Sequence, residues 1–208
     1  MRLKATMRWA AGLALGVLLL GAGAARAQGI AGTAHDLSGS GYGSTQICIF
    51  CHSPHNVAGT QIVPLWNHAT TTQTFQVYAS GTLNAAPTQP AGSSKACLSC
   101  HDGVTFVDAY GTHAGGNAIG GSANLGTNLS NDHPISFTYD TNLATADGGL
   151  ATPDNTAGRV GALNLPLYGV TKNQMECASC HAVHTDANHP FLRAANTGSA
   201  LCRNCHSK

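Results

Sequence analysis

Every cysteine in this chain stands in the same pentapeptide, and that regularity limits what the chain can become. The eight cysteines fall in Cys48-Ile49-Phe50-Cys51-His52, Cys97-Leu98-Ser99-Cys100-His101, Cys177-Ala178-Ser179-Cys180-His181 and Cys202-Arg203-Asn204-Cys205-His206. Cys-x-x-Cys-His is the attachment pattern of c-type haem. Two thiols two residues apart on one turn can each add to a vinyl group of the porphyrin. The next residue then falls beneath the iron and supplies its proximal imidazole. A disulfide scaffold, zinc sites or a dithiol redox motif also use paired cysteines, but none requires a His after every second Cys. With 11 His in 208 residues, four such coincidences have a chance of roughly one in a hundred thousand. The spacing predicts four covalently bound haem c groups. Cys48, Cys51, Cys97, Cys100, Cys177, Cys180, Cys202 and Cys205 would hold the porphyrins, with His52, His101, His181 and His206 on the irons.

A prosthetic interior is also what the composition asks for. Arg2, Lys4 and Arg8, the uncharged run Ala10 to Ala25 and the small-x-small triplet Ala25-Arg26-Ala27 read as a signal peptide over residues 1–27, cleaved before Gln28. The expected mature chain is exported, to the periplasm, outer surface or extracellular space, and carries no membrane span. Four of the ten basic residues lie in that leader, which leaves six against nine acids. A basic footprint for nucleic acid is absent. Gly, Ala, Thr, Asn and Ser dominate residues 28–208, and side chains alone would struggle to offset the ordering entropy. Porphyrins can supply the missing apolar core. The expected fold is a multihaem cytochrome c: mostly coil and turns, with short helices at the attachment motifs and a core built around four stacked haems.

The second axial ligand separates a carrier from a catalyst. Met175 is the one methionine outside the leader, so at most one iron could be His/Met. Seven His lie outside the motifs: His35, His55, His68, His113, His133, His184 and His189. Two of them complete His-x-x-His: His52 with His55, and His181 with His184. Three residues apart on a turn, the second imidazole cannot reach round the porphyrin of the first, but it can reach a haem lying alongside. His55 and His184 are therefore expected to ligate neighbouring haems. Pro134 favours extended backbone at His133, a fixed presentation suited to a ligand. His35 has Asp36 beside it to fix a tautomer. His68 is a fifth candidate, with Trp66 placed to pack on a haem face. His113 and His189 are expected to be ordinary exposed or hydrogen-bonded imidazoles.

Motif spacing divides the chain into a flexible Gly- and Ser-rich arm over residues 28–46 and a tetrahaem domain over 47–208. Within the domain the first two haems lie in 47–101, a loop region in 102–176, and the last two haems in 177–206. The uneven spacing argues against a solenoid repeat.

The phrases His35-Asp36-Leu37-Ser38, Ile47-Cys48-Ile49-Phe50-Cys51-His52-Ser53-Pro54-His55-Asn56, Pro64-Leu65-Trp66-Asn67-His68, Cys97-Leu98-Ser99-Cys100-His101-Asp102-Gly103 and Asn131-Asp132-His133-Pro134-Ile135-Ser136-Phe137 resemble the tetrahaem cytochromes that polymerise into extracellular nanowires in metal-reducing bacteria. The block Cys177 to His206 is similar to the doubled Cys-x-x-Cys-His module, although Ala182-Val183-His184 stands where such modules often read Asp-Pro-His. The resemblance implies a line of bis-His haems continuing across subunits, with one axial His donated by a neighbour, in a homopolymer. His35 and His133 join His55 and His184 as the expected distal ligands, with His68 left open as the alternative.

The expected function is electron transfer to redox partner proteins or extracellular metal oxides. A monomeric periplasmic shuttle is the alternative. A multihaem reductase would need an iron with an open distal site, and the surplus of His argues against one.

Overall fold

Short helices form where the attachment motifs lie, and little else in the chain is regular. The computed structural model describes residues 29–53, 55 and 62–207. The expected leader lies outside the described residues. The first motif sits on a single 3-10 turn, Ile47–Phe50. The second ends the longest described helix, α1 (Gly92–His101). After α2 (Thr141–Asp147), the third motif forms α3 (Cys177–Cys180), and the fourth begins in α4 (Ala200–Arg203) and runs out of it through Asn204 to His206. One turn is what two thiols and an imidazole need to meet one porphyrin. The flanking Gly- and Asn-rich segments have no apolar periodicity to extend it.

Strands are two residues long. β1 (Phe137–Thr138) pairs antiparallel with β4 (Gln174–Met175), Phe137 opposite Met175. β2 (Arg159–Val160) pairs antiparallel with β3 (Leu165–Pro166). These ladders frame the larger apolar cluster: Phe137, Tyr139, Leu143, Val160, Leu165, Leu167 and Met175, with Leu201 and Cys205 packed against it. Met175, the candidate thioether ligand, is a core residue there. α2 closes this cluster with Leu143 and Ala144. Its start is capped by Asp140, whose carboxylate accepts from Leu143 N at 2.9 Å. Its end is stopped by Gly148 in the left-handed region, where a side chain would be strained. Phe75, Leu98 and Leu129 form a second, smaller cluster. Two such clusters are a thin apolar interior for a chain of this length.

Residues 29–46 follow the surface of their own chain. The Tyr110 hydroxyl donates to Tyr42 O at 3.0 Å, and Asp36 caps the turn Leu37–Gly39 by accepting from Ser38 N.

Candidate haem sites

The four attachment histidines are held at one nitrogen wherever a bond is present. Nδ1 of His52 lies 2.9 Å from Pro64 O, that of His101 2.7 Å from Ala123 O, and that of His181 3.1 Å from Pro190 O. A carbonyl beside Nδ1 requires the N–H there, which leaves the Nε2 lone pair to a metal. His133 has the same arrangement, with Nδ1 2.9 Å from Pro134 O. The backbone places these carbonyls through short bridges: His52 opposite Trp66, and His181 opposite Leu192.

Three attachment histidines have a second imidazole at nearly one distance. The ring centroids of His52 and His184 are 6.1 Å apart, those of His35 and His101 6.1 Å, and those of His133 and His206 6.3 Å. Two metal–nitrogen bonds of about 2 Å each, plus about 1.1 Å from each Nε2 to its ring centre, place two axial imidazoles about 6 Å apart. The spacing fits an iron between them. His35 packs on Phe191 with centroids 4.3 Å apart, and its Nδ1 is buried without a hydrogen-bond partner. Burial, and then the neighbouring His101, lower the pKa of His35. Burial lowers that of His133 as well. Both shifts favour the neutral form a metal ligand requires.

His181 and His55 are not brought together in this way. His181 lies within electrostatic reach of His35, but no second imidazole is recorded against its ring among the described residues. His55 is exposed. His68 is buried, 4 % exposed. Its Nδ1 lies 2.7 Å from Ala69 O, and its Nε2 lies 3.3 Å from both Val107 O and Cys100 Sγ. It faces a cysteine of the second motif and not an attachment imidazole. Trp66 lies against it, ring centroids 5.8 Å apart. His113 stacks on Tyr110 with Nδ1 2.6 Å from Asp108 O, and His189 pairs with Asp186 at 3.0 Å. Neither approaches an attachment motif in these contacts.

The thiols show which motifs lie inside. No disulfide joins the eight cysteines; Cys48 and Cys202 are exposed and the other six half-buried. Burial pushes the Cys51 and Cys180 thiols up to about 11 and raises that of Cys100 further. Cys97 and Cys177, from different motifs, lie close enough to shift each other's thiol pKa, so the second and third sites adjoin.

Around that junction stand residues that sequence reasoning missed. Glu176, 4 % exposed, accepts from Ser94 N at 3.3 Å and from the Ser136 hydroxyl at 2.9 Å. Ser94 Oγ accepts from Cys177 N at 2.9 Å. The local signal was a Glu-x-x-Ser pattern at the start of α3. The partner 82 residues away left no mark in the sequence.

Residues 169–208 match the doubled CXXCH motif. That motif is characteristic of multihaem c-type cytochromes, which bind haem c covalently and transfer electrons. The match spans α3, α4 and the loop between them, the part of the chain with the two most closely spaced motifs. No curated protein matches the chain. No described helix is long and apolar enough to cross a membrane.

Proposed function

We propose that the protein carries electrons through four covalently attached haems, each iron held between two histidines of the polypeptide. The observation that carries this reading is the recurring His–His separation of 6.1 to 6.3 Å at three of the four motifs. Haem, when bound, supplies one-electron ferric/ferrous chemistry. The residues supply fixed ligation on both sides. His184 serves the iron of His52, His35 that of His101, and His133 that of His206. His55 serves the iron of His181, the reciprocal of the His184 assignment. Carbonyl oxygens of residues 64, 123 and 190 hold the proximal rings in one tautomer and raise their basicity. Haem held between two imidazoles would offer no open site to a substrate, and its potential would be lower than thioether ligation gives.

Protein matured with four haems has the intact mass of the chain from Gln28 plus four haems. Fewer haems, or free thiols, count against the reading. His184→Ala keeps four haems and turns one iron, that of His52, from low-spin to five-coordinate or water-ligated. Electron paramagnetic resonance and carbon monoxide binding read this directly; an unchanged low-spin spectrum removes the assignment.

The assembly we propose is a homopolymeric extracellular filament for respiration to external acceptors, supported by the resemblance of residues 33–208 to nanowire cytochromes. A head-to-tail contact of this kind does not close, and so it extends. In the filament, the His55 that serves the iron of His181 would come from the next chain, since no second ring lies beside His181 among the described residues. A second reading, a monomeric periplasmic shuttle, is favoured by one observation: His35 lies beside His101 of its own chain. Electron microscopy and size-exclusion chromatography of the native protein separate them. A monomer with four bis-His irons at high concentration selects the shuttle.

A further inference from the structure

The second and third attachment helices are capped by each other. The N-cap of α1 is Ala91, which has no side chain to offer. The third helical N–H, that of Ser94, is met instead by the carboxylate of Glu176. Glu176 is itself the N-cap of α3 and forms a capping box there with Ser179, whose hydroxyl accepts from Glu176 N at 3.0 Å. In return, Ser94 Oγ takes the first N–H of α3, that of Cys177. Each helix supplies the acceptor that the other lacks. Helix starts leave N–H groups that need such partners.

The exchange is closed off from water. Ser94 and Ser179 are fully buried, and Glu176 and Ser136 nearly so. Ser136 adds a further donor to the carboxylate and receives Ala91 N at 3.1 Å, so the residue before α1 is tied in as well. Gly92, at φ +45, lets the chain enter α1 with the carboxylate beside it: a Cβ there would lie 3.5 Å from Glu176 Oε1. Three residues beyond Ser94, Cys97 meets Cys177. The recorded side-chain partners of the carboxylate are hydroxyl groups, with no basic group among them. Burial raises its pKa, and the hydrogen bonds from Ser94 and Ser136 offset that only in part.

Taking the motifs as haem sites, as proposed above, we propose that Glu176 is a positioning residue. With Ser94 it joins the second and third attachment helices into one rigid unit and places a negative charge beside Cys97 and Cys177, the cysteines that would hold their haems. A charge in a poorly screened interior acts on nearby redox centres far more strongly than one at the surface. An anion there favours the oxidised, more positive iron. Cys97 and Cys177 stand nearest to it, so the haems of the second and third motifs would feel it most.

The test uses the mature four-haem protein. Glu176→Gln keeps size and an acceptor oxygen and removes the charge. Spectroelectrochemical titration should then show two of the four potentials moved upward and two unchanged. Glu176→Asp, which restores the charge, should move them back toward wild type. Amide hydrogen exchange gives a readout independent of the redox chemistry. Ser94→Ala, in α1, should speed exchange at residues 177–180 of α3, and Glu176→Gln, in α3, should speed it at residues 93–97 of α1. Exchange changes confined to the mutated helix, or four unmoved potentials, overturn the inference. If Glu176→Gln does not accumulate, Ser94→Ala decides by exchange alone. Wild-type protein with fewer than four haems would instead defeat the haem reading itself, so the two failures are distinguishable.

Discussion

The first attachment motif and the second-and-third pair are built by different means. The first hangs on one 3-10 turn with no side-chain cap. Backbone contacts clip it to residues 65–67: Ser53 N to Leu65 O and Asn67 N to Cys51 O, with the Asn67 amide donating to Ile49 O at 2.8 Å. One of its cysteines is exposed, and the His184 ring lies across from its imidazole. The second and third motifs stand on helices joined by buried side chains, Ser94, Ser136, Ser179 and Glu176. The difference shows two ways of holding a haem site without a large apolar core. One relies on backbone contacts and an imidazole brought from a distant segment, without a buried side-chain junction. The other closes through polar groups that satisfy each other and exclude water, which fixes geometry at the cost of tolerance to change.

That contrast can be broken by substitution. Glu176→Ala should have the largest effect on stability, about 3 kcal/mol, because it strands Ser94 N and the Ser136 hydroxyl in the interior. Denaturant unfolding of the four-haem protein measures it, and a loss below about 1 kcal/mol would show that the junction is not held this way. Ser94→Ala removes the acceptor of Cys177 N and should cost about 1–2 kcal/mol by the same measurement. Asn67→Ala, at the first motif, removes one half-exposed bond and should cost about 1 kcal/mol or less. An Asn67 loss equal to that of Glu176 would erase the distinction between the two regions.

The smallest effect concerns pH. Burial lowers the pKa of His68, against weaker upward contributions from backbone carbonyls. The unfolded chain therefore binds this proton more readily than the folded one. The stability contributed by neutral His68 is complete above the unfolded value near 6.5 and declines as pH falls below it toward the lowered folded value. Wild type should lose more stability than His68→Gln between pH 7.5 and pH 5. Equal losses would mean that His68 does not titrate in this window, as a metal-bound imidazole would not.

The attachment motifs were legible because their chemistry is local. Two thiols and an imidazole must meet one porphyrin from one turn, so the pentapeptide carries its whole meaning in five residues. Scarce regular structure followed from composition, since Gly- and Asn-rich segments carry no amphipathic period, and the structure has few short helices and much coil. His-x-x-His could also be read in part: it told that His184 would look away from its own motif, but not toward which one.

Tertiary structure decided the rest, because its causes lie far apart in the chain. His184 comes to His52, His35 to His101 and His133 to His206 across loops whose course no periodicity announces. His68, with the same residue type and a suggestive neighbour in Trp66, goes instead to a pocket beside Cys100. Glu176 and Ser94 look like unremarkable polar residues until folding brings two helix starts together. A buried N–H must find an acceptor wherever the fold leaves one within reach, and sequence order does not determine which residue that will be.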